Sequence, residues 1–181
     1  MKRLILTILV FIAILSKHNN SAVVKFNPIQ WRIAMPENSF SQRYQKAICN
    51  IKKYETFQEY QYVLFGDTLE GYGSKTSVYS SKAMTEVQAA KLLHKDYHDN
   101  INIMRYYLDT TISENVLYLL GMLSYNTGCV AVLDSRMFQL IKNKGCKSDI
   151  IEEYLGFKYI DGRVHKQLEQ RRKDEINIWL K

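Results

Sequence analysis

The chain is 181 residues long, 46% hydrophobic and 24% charged, a globular balance that excludes a collagen-like fibre, a disordered tail and a disulfide knot. Two prolines and eight glycines leave no room for a Pro/Gly-rich linker, and three cysteines are an odd number, too few for a disulfide scaffold. The formal charge of +7 depends on what becomes of the N-terminus.

Met1-Lys2-Arg3 is a short basic start, residues 4–15 (LILTILVFIAIL) form an apolar run, and residues 16–22 (SKHNNSA) are small and polar, with Ala22 a tolerable cleavage position. This order is that of a secretory signal peptide over residues 1–22. The run falls short of the ~20 residues that span a bilayer; an uncleaved anchor and a buried core helix are the alternatives. Loss of residues 1–22 removes Lys2, Arg3, Lys17 and no acid, so the charge falls to a mild +4. That suits an anionic cell-wall polymer or membrane surface and does not demand nucleic acid. Export to the periplasm or cell envelope is the expectation, and there the cysteines Cys49, Cys129 and Cys146 can pair in part.

Residues 23–40 hold both prolines and no clean period, and read as an irregular arm. The domain proper is expected over 41–181. In 41–55, Tyr44, Ala47, Ile48, Ile51 and Tyr54 recur at helical spacing. Residues 58–81 are rich in Tyr, Val, Thr and Ser, with turns at Gly66-Asp67 and Gly71-Tyr72-Gly73, which predicts a small antiparallel sheet. Thr85-Glu86-Val87-Gln88 is a capping box opening a long helix over 86–107. Ser113 caps an apolar central helix reaching Tyr125, Ser135 a short one stopping at Gly145, and Ser148-Asp149 opens another to Leu155. A last helix runs over 164–180. The sum is an α+β fold with a small antiparallel sheet lobe, a mainly helical lobe and a long helix joining them. A polymer would lie in the cleft between.

One carboxylate stands out by position. Glu55 closes the first helix immediately before the sheet, between Tyr54 and Phe57. Desolvation by aromatic neighbours favours the neutral, proton-carrying form that a general acid needs. On residue chemistry alone, an exposed glutamate at a helix end is the commoner outcome. Tyr106-Tyr107 and Tyr159 offer faces to sugars, though aromatics at helix ends are more often core. No Cys-x-x-Cys or His cluster points to a metal, and no cofactor is implied.

Four ordered segments carry a resemblance: Ile51-Lys52-Lys53-Tyr54-Glu55, Gly71-Tyr72-Gly73, Ser124-Tyr125-Asn126-Thr127-Gly128 and Gln170-Arg171-Arg172-Lys173-Asp174-Glu175. Together with residues 85–96 they are similar to the phage-type lysozymes of glycoside hydrolase family 24. The tail Glu153-Tyr154-Leu155-Gly156-Phe157-Lys158-Tyr159-Ile160-Asp161-Gly162 resembles the lysozyme-like proteins of conjugative transposons. The resemblance implies a lysozyme fold, peptidoglycan glycan strands as the partner, and cleavage between N-acetylmuramic acid and N-acetylglucosamine. It also implies a monomer and a possible link to a secretion or conjugation apparatus. Glu55 matches the essential acid and Arg171 the arginine beside it, while Gly71, Tyr72, Gly73 and Asn126 match supporting positions. The sequence departs where the family carries its second pair: Leu64, Leu69 and Glu70 fall at or near the Asp and Thr positions, Ser74 replaces the histidine after the turn, and Thr56 the glycine after the acid. Asp67 is the nearby polar residue taken for the second catalytic role. A single-acid lytic transglycosylase and a non-catalytic wall-binding scaffold are the alternatives.

Overall fold

The computed structural model describes residues 42–180 except Phe65; the predicted signal and arm lie outside these. Helix α1 (Gln42–Glu55) leads into a three-stranded antiparallel sheet, β1 (Gln58–Leu64), β2 (Asp67–Gly71) and β3 (Ser74–Thr76), in the order β1-β2-β3. Helix α2 (Glu86–Tyr107) then crosses to the helical lobe: α3 (Glu114–Thr127), α4 (Cys129–Leu133), α5 (Arg136–Lys142) and α6 (Lys147–Gly156). A two-stranded hairpin, β4 (Tyr159–Ile160) and β5 (Arg163–Val164), precedes the final helix α7 (Lys166–Leu180). The helix-dominated α+β architecture is as expected. Among the described residues no helix is long and apolar enough to cross a membrane.

Local chemistry sets the helix ends. Both halves of the capping box form, with Thr85 Oγ1 accepting from Gln88 N and Gln88 Oε1 accepting from Thr85 N, a motif that stabilises by about 1 kcal/mol. Ser135 Oγ accepts from Phe138 N and starts α5 as predicted. Three boundaries differ from the expectation. Cys146, not Ser148, is the N-cap of α6; α5 ends before Gly145, whose N–H turns back to Leu140 O. The last helix starts at Lys166, because residues 159–164 fold back through Asp161 (φ 49) and Gly162 (φ 74), the two left-handed positions of a tight hairpin turn.

The core gathers around α3. Leu117, Leu119, Leu120, Met122 and Leu123 are all buried, and they pack with Tyr44, Ile48 and Ile51 of α1 and with Leu93, Tyr97 and Ile101 of α2. The Tyr97 hydroxyl keeps a partner in this apolar setting, donating to Tyr118 O at 2.9 Å. The three cysteines are free thiols, so the partial pairing that export would allow is absent. Cys49 and Cys146 are exposed on separate elements, and Cys129 turns its Sγ toward Asn100 Oδ1 at 2.8 Å. Tyr106, Tyr107 and Tyr159 are exposed rather than core: the first two meet edge to face at a helix end, and Tyr159 lies in the outer hairpin.

Helix α1 stops by an unusual device. Thr56 takes φ 54, and its N–H bonds back to Lys52 O. A β-branched residue in the left-handed region is strained by about 1–2 kcal/mol. Thr56→Gly is expected to raise the melting temperature by a few degrees, since relief of strain outweighs the extra chain entropy of glycine. Thermal unfolding followed by circular dichroism checks this.

Candidate active site

The Glu55 carboxyl sits where α1, the sheet and α7 meet. Its side chain is 13% exposed, so it is sequestered yet still open to solvent. Arg171 of α7, fully buried, donates from Nη1 to Glu55 Oε1 at 2.7 Å and from Nε to Glu175 Oε1 at 2.9 Å. Its guanidinium also lies 5.3 Å from the centre of the Tyr54 ring. Burial opposes the Arg171 charge, but the Glu55 and Glu175 carboxylates outweigh it and strengthen the guanidinium's hold on its proton.

Behind this pair lies a second buried layer. Glu175 Oε2 accepts from Arg172 Nη1 and, at 2.8 Å, from the Tyr154 hydroxyl. Arg172 Nη2 donates to Asn126 Oδ1, and its Nε to Phe157 O at 3.2 Å. Arg171, Arg172 and Glu175 are all 0% exposed. With Glu55 they make two cations and two anions, so the buried charge cancels; Arg171 Nη2 is buried without a hydrogen-bond partner among the described residues. Asn126, which chain position suggested would bond backbone or cap α3, instead links the end of α3 to α7 through Arg172.

The Gly71-Tyr72-Gly73 turn forms the opposite wall. A β-carbon on Gly71 would come within 2.8 Å of Ala89 Cβ, so the turn is pressed against α2. Tyr72 is buried; its hydroxyl donates to Glu86 Oε1 at 2.7 Å, its ring lies 5.8 Å from Phe57, and its carbonyl accepts from the Tyr125 hydroxyl at 2.9 Å. Helices α2 and α3 thus both fix the turn. Gly73 takes φ 90, and a β-carbon there would lie 3.7 Å from Glu55 Oε2 and 3.9 Å from Tyr62 Oη. Burial, and then the nearby Glu55 charge, push the Tyr62 phenol up to about 12 and raise that of Tyr125 as well.

Of the residues expected at the site, Glu55, Gly73 and Arg171 come together, Gly71 and Tyr72 fix the turn, and Asn126 supports from behind. Asp67 lies elsewhere. It opens β2 beside the Leu64 turn, whereas Gly71 pairs with Gln58 next to Glu55. The four residue steps from one to the other span about 13 Å of strand. Its carboxylate pairs with Lys75 Nζ at 2.6 Å, both side chains half exposed. Tyr62, Tyr125, Tyr154 and Glu175 were not singled out by sequence. Tyr125 and Glu175 lie within the matched segments, but nothing local to Tyr62 shows that it reaches Glu55.

The Phage lysozyme family model matches residues 52–175. The chain belongs to the phage lysozyme family. Membership supports a lysozyme-like glycosidase acting on peptidoglycan as the function class. The fold is shared with the muramidase domain of SpmX from Asticaccaulis excentricus, at 20% identity over 75% of this chain and 95% of that one, with a TM-score of 0.66. It is likewise shared with the endolysin of Escherichia coli O157:H7 phage FAHEc1, at 22% identity over 77% and 94%, with a TM-score of 0.63. No curated protein sequence matches this lysozyme-family chain significantly.

A pH-sensitive contact braces α1 against α7. Asp174 Oδ2 accepts from Lys53 Nζ and from the Tyr54 hydroxyl at 2.8 Å, while Gln170 donates to Oδ1. Burial works against the carboxylate, but these donors and the Lys53 charge prevail and hold Asp174 below the usual carboxylate range. A depressed folded value adds stability that is complete above the unfolded value, about 4, and is lost as pH falls through the folded one. Melting temperature should therefore drop on acidification below pH ~4, and more shallowly in Asp174→Asn. Melting curves between about pH 6 and 2.5 check the difference in slope.

Proposed function

We propose that this protein is an exported peptidoglycan hydrolase, an endo-N-acetylmuramidase that cuts the β-1,4 bond from N-acetylmuramic acid to N-acetylglucosamine with Glu55 as proton donor. The observation that carries the reading is the division of labour between the two Glu55 oxygens. Oε1 is occupied by Arg171, so a proton on this carboxyl belongs on Oε2, which faces the solvent side beside Gly73. A general acid needs this arrangement: one oxygen anchored, the other free to reach a glycosidic oxygen. Arg171 fixes the carboxyl's direction and, as the sugar–oxygen bond breaks, stabilises the carboxylate that is left.

In the hydrolytic reading Asp67 is the carboxylate that orients the attacking water; for this it must leave Lys75 and the β1–β2 hairpin must carry it toward Glu55. A second reading, a lytic transglycosylase using Glu55 alone, is favoured by the place of Asp67 at the far end of β2 and by a phenol beside the free oxygen of Glu55. There the muramoyl 6-hydroxyl attacks C1; Glu55 first protonates the leaving oxygen and then takes the hydroxyl proton. Digestion of purified peptidoglycan followed by mass spectrometry of the products tests both. Reducing ends mean hydrolysis, 1,6-anhydro ends mean transglycosylation, and no released product from the pure protein defeats the enzymatic reading in favour of a wall-binding scaffold. The leader-like residues 1–22 fit action in the cell envelope, with local wall opening for a transfer apparatus as the proposed context.

A further inference from the structure

We propose that Tyr62 is a further substrate-contacting residue: its hydroxyl and Glu55 Oε2 together hold one oxygen of the bound glycan over Gly73. The proposal rests on the glycan reading above and adds a group that neither composition nor family motif assigns.

Three observations carry it. First, one point in space, where a β-carbon on residue 73 would be, lies 3.7 Å from Glu55 Oε2 and 3.9 Å from Tyr62 Oη. Residue 73 is glycine, so the two oxygens flank a bare stretch of backbone, and no side chain there blocks a ligand lying over the turn from either of them. Second, neither oxygen has a hydrogen-bond partner among the described residues, whereas two oxygens beside them do. Glu55 Oε1 is held by Arg171, and the Tyr125 hydroxyl is engaged on Tyr72 O. A half-buried phenol and a protonated carboxyl oxygen, both without protein partners and flanking one glycine, are two donors matched to an accepting sugar oxygen. Third, the sheet is built to aim Tyr62 there. The pairing of β1 with β2 slips between Gln58 and Tyr62, and such irregularities redirect side chains and recur beside active sites.

The hydroxyl's protonation state suits this role. Burial keeps the phenol protonated at any pH where the wall polymer is cut, whether or not Glu55 holds its proton, so Tyr62 is a donor throughout and cannot act as a base. It therefore orients the sugar against the Glu55 proton and takes no part in moving that proton.

The experiment compares wild type with Tyr62→Phe, which removes the hydroxyl alone. The expected result is a loss of about 5–30-fold in kcat/KM on purified peptidoglycan, the size of one lost hydrogen bond, with the melting temperature within about 2 °C of wild type. Binding is read separately by titration calorimetry with a GlcNAc–MurNAc tetrasaccharide in the Glu55→Gln background, where Tyr62→Phe should weaken affinity several-fold. Activity and affinity both within twofold of the parent overturn the proposal, as does a loss that is matched by a large fall in melting temperature. If wild type releases nothing from peptidoglycan, the enzymatic reading fails by itself. The tetrasaccharide titration of wild type against Tyr62→Phe then decides, and equal affinities, or no binding by either, overturn the contact.

Discussion

Glu55→Gln is expected to lower peptidoglycan cleavage by about 10²–10⁴-fold, the range that a positioned general acid contributes. The amide keeps the shape of the side chain, and its oxygen still accepts from Arg171 Nη1 in the place of Oε1. What it lacks is a transferable proton on the atom facing Gly73. Some loss of stability accompanies the swap, because Arg171 gives up one of its two carboxylate partners, but the Glu175 contact at 2.9 Å remains and the fold should hold. Turbidity loss of a peptidoglycan suspension, measured well below both melting temperatures, separates the two effects. Retention of more than a tenth of wild-type activity would remove Glu55 from the mechanism.

The second large effect is structural. Glu175→Gln should destabilise the protein by about 3–5 kcal/mol, the cost of breaking a buried ion pair. Glu175 takes bonds from Arg171, Arg172 and Tyr154 at once. An amide there has one accepting oxygen, and its NH₂ group faces guanidinium donors. Arg171 would then keep Glu55 as its carboxylate, and Arg172 would lose the carboxylate it pairs with. Against a typical total of about 5–15 kcal/mol this is a severe loss, worth roughly 10–15 °C in melting temperature for a chain this long. Calorimetry reads it directly. A shift under about 3 °C would mean that water reaches the cluster and that its burial is not what holds α7 in place.

The parts of the molecule that were legible in sequence are those whose cause is local. The capping box at Thr85 and Gln88 fixes α2 to its first residue, and the apolar run after Ser113 marks the buried helix because its side chains leave almost no polar face. The hairpin at 159–164 escaped because each strand is two residues long, too short for alternation to register, although Asp161-Gly162 carries the turn chemistry. At the site, Glu55 was marked by its place at a helix end, and Arg171 by family motif. The contact between them closes over 116 positions of chain, and no periodicity within either helix specifies it. Tyr62 was hidden for a different reason. Strict alternation along β1 puts Tyr62 on the face of Gln58, but it does not show the slip after Gln58 that sets Tyr62 opposite Leu69. Asp67 was attractive as a polar side chain in a turn, but the β1–β2 register sets that turn at the end of the hairpin remote from Glu55.

The bond between Arg171 and Glu55 joins the first described helix to the last. During synthesis α1 and its glutamate leave the ribosome long before α7 exists, so the carboxyl has no anchor and no fixed direction until translation is nearly finished. A chain cut short anywhere before residue 171 carries the acid but not the site. The site is therefore assembled last, and the acid gains its anchor only when α7 docks on α1.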